Sequence, residues 1–128
     1  MQNRSIYNAA LRLLGESVAE GENEDYEERA PYLIATFCSE MCELNERLCR
    51  AKGTTVSELA ECVCLELDQA FPLSTRFSSA ASLYLAAMLI LESDEDRSDK
   101  LYARFSDAIS RIADGIPAAL ESIVDRYF

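Results

Sequence analysis

Between residues 30 and 48 the apolar side chains Ala30, Ile34, Phe37, Met41, Leu44 and Leu48 recur at spacings of four, three, four, three and four. A half-buried strand alternates every second residue. A helix turning about 100° per residue lays all six in one continuous stripe. The spacing therefore predicts a helix from near Asp25 to about Ala51, closed by Gly53. Asp25, Glu27 and Glu28 suit the positive end of its dipole. Pro31 lies inside this span. It either kinks the helix or marks its true start, with residues 24–30 forming a separate turn.

The same rhythm returns in Phe77, Ala81, Tyr84, Met88 and Leu91, which predicts a third helix from about Ser74 to Leu91. Leu83, Leu85, Leu89 and Ile90 fill its other faces, so this helix is expected to be central and buried. A fourth helix is expected from a Ser93 cap to about Asp114. Asp94, Glu95 and Asp96 stand at its positive end, and Leu101, Tyr102, Phe105, Ala108, Ile109 and Ile112 share one face. Asp107 stands four residues before Arg111, a favourable surface pairing. The first helix is read over Ser5 to Leu14, capped by Ser5 and stopped by Gly15, with Ile6, Ala10, Leu13 and Leu14 at helical spacing. Only four Gly and three Pro occur in 128 residues, too few for the turns of an all-β fold. The expected architecture is an all-α bundle of about four main helices, the second, third and fourth being long.

One helical domain over residues 1–128 fits this length. Three stretches interrupt it. Residues 16–24 read as a mobile acidic loop. Residues 54–73 read as an irregular connection, with a possible capping box at Thr55 and Glu58 and an extended alternation in Val63, Leu65 and Leu67. The tail 117–128 carries Leu120, Ile123, Val124, Tyr127 and Phe128, too apolar to leave in water; it folds back or docks on a neighbour.

Twelve basic residues against twenty-three acidic ones give a net charge of −11. Such a chain repels nucleic-acid phosphates and anionic membranes at long range, so a protein that grips DNA is not expected. The longest apolar stretch, Ala80 to Leu91, is broken by Ser82 and too short to span a bilayer. The amino-terminal segment lacks a signal-peptide core, which points to the cytosol and to reduced cysteines.

Histidine is absent. Ser-His and Cys-His nucleophilic sites within one chain are thereby excluded, and the commonest metal ligand is missing. Cys38, Cys42, Cys62 and Cys64 could supply four thiolates, yet their spacing lacks the paired C-x₂-C knuckles of zinc sites. A redox role would need Cys62 and Cys64 exposed with depressed thiol pKa. On the second helix Cys38, Cys42 and Cys49 fall on a strip beside the main stripe, where thiols behave as small hydrophobes. The apolar surface of that helix is then wider than one seam, and either another part of the chain or another subunit covers it. The acidic runs lack the EF-hand pattern, and the glycines are too far apart for a phosphate loop. No catalytic, cofactor or metal site is expected.

Several segments resemble the small helical connector (adaptor, head-completion) proteins of prophage head–tail modules. They are the helix opening Asp25-Tyr26-Glu27-Glu28-Arg29-Ala30-Pro31-Tyr32 with Cys38-Ser39-Glu40, the run Phe71-Pro72-Leu73 leading into Arg76-Phe77, the segment Tyr84-Leu85-Ala86-Ala87-Met88-Leu89, and the closing Ile123-Val124-Asp125-Arg126-Tyr127. The likeness spans about Leu11 to Tyr127. It implies a helical bundle that assembles as a ring of roughly a dozen copies beneath the portal, bridges it to the tail and lets DNA pass without specific binding. It also implies residence in the host cytoplasm during assembly and in the virion neck afterwards. Candidate interface residues are Tyr26, Tyr32, Cys38, Cys42, Cys49, Ile123, Tyr127 and Phe128, with homo-oligomer, portal and tail proteins as partners. The alternative is a small cytosolic regulator that captures a partner helix in an apolar groove.

Overall fold

The computed structural model describes residues 1–19, 21–54 and 63–116. Four helices run in the order α1 Asn3–Leu14, α2 Glu24–Lys52, α3 Ser78–Leu89 and α4 Glu95–Asp114, with a 3₁₀ turn at Thr75–Phe77 before α3. Among the described residues there is no strand, only an isolated antiparallel bridge between Gln2 and Ala70. The all-α bundle expected from the spacing is the fold observed.

α3 touches each of the other three helices and the 3₁₀ turn. Its residues Ala80 to Ala87 are all buried, as expected of a helix apolar on every side. α2 lays its stripe against this centre. Ala30, Ile34, Phe37 and Leu48 are buried, and Met41 and Leu44 pack on the core edge. Phe37 is the hub, with ring centroids 5.7 Å from Tyr84, 6.0 Å from Phe105 and 6.5 Å from both Phe71 and Phe77. Rings at such distances and tilts gain quadrupole attraction on top of burial.

Helix boundaries differ from the spacing-based reading at four places, each for a tertiary reason. α1 begins at Asn3, and Ser5 lies inside it. No side chain caps this end; instead the carbonyls of Gln69 and Leu67 accept from the Asn3 and Arg4 amides at 2.9 and 2.8 Å. α2 runs unbroken for 29 residues through Pro31. An interior proline costs about 3 kcal/mol. Here the proline is itself buried, and its carbonyl accepts from the Leu65 amide at 3.0 Å. The third helix is not long: a 3₁₀ turn capped by Ser74 precedes twelve α-helical residues, the same length as α1. Finally, Asp94 rather than Ser93 caps α4, its carboxylate accepting from the Arg97 amide at 3.2 Å. The Ser93 hydroxyl turns back and donates to the Ile90 carbonyl at 3.3 Å.

Gly15 and Gly53 stop α1 and α2 as expected, at φ +74° and +71°, a region that disfavours any side chain. Within the acidic loop, Asn23 is held at two points. Tyr7 donates its hydroxyl to the Asn23 carbonyl at 3.4 Å, and the Asn23 side-chain amide donates to the Ser17 carbonyl at 2.9 Å.

The connection after residue 62 is irregular but buried. Leu65, Leu67, Phe71 and Leu73 all enter the core, whereas Val63 is exposed. Together with α1 this segment helps cover the wide apolar side of α2, so the chain itself supplies part of the cover that side was expected to need. The proposed capping box at Thr55 and Glu58 lies outside the described residues, as does the tail 117–128.

Candidate functional site

Several polar side chains that reach the interior close helix ends, while buried Asn3 donates to the Glu66 carbonyl at 2.9 Å, and Asn3 Oδ1 and Arg29 Nε have no hydrogen-bond partner among the described residues. Ser98, on α4, donates to the Ala87 carbonyl at 2.8 Å, and Arg29, on α2, donates to the Leu89 carbonyl at 2.9 Å. Both acceptors belong to the last turn of α3, where the helix itself provides no donors. Arg97, on α4, does the same for the Leu13 carbonyl at the end of α1, at 3.2 Å. Asn45 accepts from the Ser74 amide at 2.9 Å and so fastens α2 to the turn before α3. Ser82 donates to Ser78 within α3 at 3.0 Å and faces the Ile6 carbonyl at 3.4 Å.

The cysteines follow the same structural logic. Cys38 is completely buried, and burial pushes its thiol up to about 12, which keeps it protonated at neutral pH. A protonated thiol is neither a nucleophile nor a metal ligand. Cys49 is buried with its sulfur 3.9 Å from the Asn45 side-chain oxygen, and Cys64 donates to Glu66 at 3.5 Å. Among the described residues no three His, Cys, Asp or Glu side chains cluster as a metal site would require; Cys62 lies outside them. Burial, reinforced by Glu27, also raises the Tyr7 hydroxyl, and burial with Glu40 nearby raises that of Tyr84.

The sequence-based interface candidates separate sharply. Cys38 sits in the chain's own interior and presents nothing to a neighbour, while Cys49 is buried at the edge of a surface concavity. Cys42 is half-buried. Tyr26 packs against the core, with the Arg29 guanidinium 5.7 Å above its ring. Tyr32 is 53 % exposed on the outward side of α2. Ile123, Tyr127 and Phe128 lie outside the described residues.

The described residues form, among other features, two concavities. One, of about 380 Å³, lies between the end of α2 and the incoming chain at Phe71–Ser74 and is lined by Asn45, Cys49, Lys52 and Thr54. The other, of about 420 Å³, is a groove between α1 and α4. Its floor is the α3 surface at Ser79, Ser82 and Leu83, its α1 wall is Ala9 and Leu13, and Arg12 and Arg104 stand on either side. Small residues on the floor leave room for another backbone to approach closely.

Angular position on α4 exposes a pattern that apolar periodicity does not reveal. Arg97, Lys100, Arg104 and Arg111 are all the cations of this helix. At about 100° per residue they fall within an arc of about 60°. All four are exposed, and Arg104 lines the groove. The expected pairing of Asp107 with Arg111 does not form. Among the described residues Arg12, Lys100, Arg104 and Arg111 have no ion-pair partner. In a chain of net charge −11, a cationic stripe beside a groove is a segregated feature.

Fold and surface together define an all-α bundle with tertiary closures at its helix ends and a cation-rimmed groove on one side. Comparison with family profiles, with curated proteins and with solved structures returned no match. Among the described residues no helix is long and apolar enough to cross a membrane.

Proposed function

We propose that this chain is a non-catalytic assembly subunit of a prophage head–tail connector, forming a ring that links portal to tail. The observation that carries the reading is what stays uncovered once the bundle has closed on itself. Tyr32 remains 53 % exposed on α2 and Tyr102 44 % exposed on α4. Aromatic side chains presented on rigid helices are the usual anchors of protein interfaces. The helix-end closures support the same reading, because Ser98, Arg29 and Arg97 each commit a donor to a carbonyl at a helix end. The net charge of −11 suits a passage through which DNA slides without being held. The subunit works in the host cytoplasm during assembly and in the virion neck afterwards, without a membrane.

The groove between α1 and α4 favours a second reading, a small cytosolic regulator that captures a partner helix. Co-expression with the portal and tail proteins of the same prophage, followed by electron microscopy of the purified complex, separates the two. The connector reading expects rings seated on the portal. Absence of any portal or tail complex, with a defined helical peptide held in the groove instead, overturns it in favour of the regulator.

A further inference from the structure

The cation-rimmed groove has its chemical complement on the same chain. Asp25, Glu28, Glu43 and Glu46 are exposed on α2. At about 100° per residue they fall within an arc of about 60° that also contains Tyr32 and, one turn beyond Glu46, Arg50, with Arg29 and Arg47 about 40° to one side. From Asp25 to Glu46 this face runs roughly 31 Å, and the stripe from Arg97 to Arg111 roughly 21 Å, at 1.5 Å per residue. One face is acidic with an aromatic near its centre. The other is basic, with apolar Ala9, Leu13 and Leu83 beside the two serines of its floor. Both faces are exposed in a single copy, so they do not cover each other there.

We propose that the groove between α1 and α4 receives the outward face of α2 from a second copy of this chain. Arg12, Arg104 and Arg111 meet Glu28 and Glu43 of the neighbour, and Tyr32 settles over Leu13 and Leu83. Charge complementarity selects this occupant. A chain of net charge −11 repels its own copies unless a basic patch meets an acidic one, and the α4 stripe is such a patch. Asp25 and Glu46 also pair within α2, with Arg29 at 3.0 Å and Arg50 at 3.8 Å, but such exposed pairs are weak and exchange partners readily. Because the two surfaces differ, the contact is head-to-tail. Each added copy leaves one groove and one α2 face open, and addition continues until a ring closes. This contact rests on the ring reading and supplies its geometry.

The test is a charge swap followed by sedimentation velocity of the full chain at low salt. The groove variant R104E/R111E and the face variant E28R/E43R change only exposed positions, and circular dichroism confirms that each keeps its helices. Each alone is expected to self-associate about tenfold or more weakly than the unaltered chain, and an equimolar mixture is expected to regain association. Association by both variants at the unaltered strength overturns the contact. So does a mixture that fails to recover, or an unaltered chain that stays monomeric at low salt. Groove variants that lose portal or tail binding while still self-associating assign the groove to those partners and equally overturn it. Rings on the portal formed by both variants would remove this contact and leave the connector reading intact, whereas loss of portal binding by the unaltered chain removes the connector reading itself.

Discussion

α3 and α4 lie against each other, yet they carry opposite kinds of sequence. α3 has no charged residue, and nine of its twelve residues are buried. α4 buries four of twenty, and its cations gather along one edge. Neighbours on every side dictate what α3 must be. Only the Ser98, Leu101, Phe105 and Ile112 side of α4 is dictated in that way. On its charged edge the fold makes use of Arg97, which closes the end of α1 at the Leu13 carbonyl, whereas Lys100, Arg104 and Arg111 have no ion-pair partner among the described residues and leave their order to a cause outside the chain. Interior positions thus report how this protein stands, and the outer edge of α4 reports what it meets.

Substitutions can break that contrast. The largest effect is expected where α2 meets both helices: Phe37→Ala removes the ring that touches Tyr84 of α3 and Phe105 of α4. A loss of about 3–5 kcal/mol, read from denaturant midpoints, is the expected outcome. A loss below about 1 kcal/mol would mean that the hub is not packed as described.

Alkaline pH probes the same interior. The folded state holds the Cys38 thiol up to about 12, while the unfolded chain releases that proton near the ordinary thiol value. Below that ordinary value the stabilisation is fully present. As pH rises from there towards 12 it is lost, by up to about 1.4 kcal/mol per pH unit. Tyr7 and Tyr84, both raised, act in the same direction at higher pH. Thiol labelling at neutral pH should modify the half-buried Cys42 while sparing Cys38 until the chain unfolds. Equal rates at the two cysteines would contradict the burial of Cys38.

Smaller effects are expected where α4 fastens on α3. Ser98→Ala strands the Ala87 carbonyl, at an expected cost of about 1–2 kcal/mol. Asp94→Ala removes the α4 cap and should cost about 1 kcal/mol, visible as fraying of its first turn in hydrogen exchange. The smallest effect belongs to the outer edge. Arg104→Glu should shift stability by no more than about 0.5 kcal/mol, because the side chain is exposed and unpaired. A loss as large as that of Phe37→Ala would show that the stripe serves the fold and not a neighbour.

Much of this architecture was legible in the chain. The four-three rhythm of Ala30 to Leu48 located α2, and the all-round apolarity of residues 80–91 located the central helix, because burial on a helix imposes a period. Gly15 and Gly53 marked two ends because left-handed backbone suits glycine. What stayed hidden came from across the fold. Nothing near Asn3 in sequence shows that the carbonyls of Leu67 and Gln69 will cap α1. Nothing near Cys38 shows that the chain will cover it completely by itself. The α4 stripe is different. Its signal was present in the angles of Arg97, Lys100, Arg104 and Arg111, but tracking apolar positions alone passes over it. The groove it borders became visible only when α1 and α3 supplied the other walls.

Sedimentation equilibrium of the unaltered chain, at about 0.02 M and about 0.5 M salt, bears most directly on whether its surfaces are built for each other, since screening shortens the reach of exposed charge from tens of ångströms to a few. Assembly beyond the monomer at the lower salt, dissolving at the higher, is the predicted result. A monomer under both conditions, or an assembly that tightens as salt rises, would contradict it.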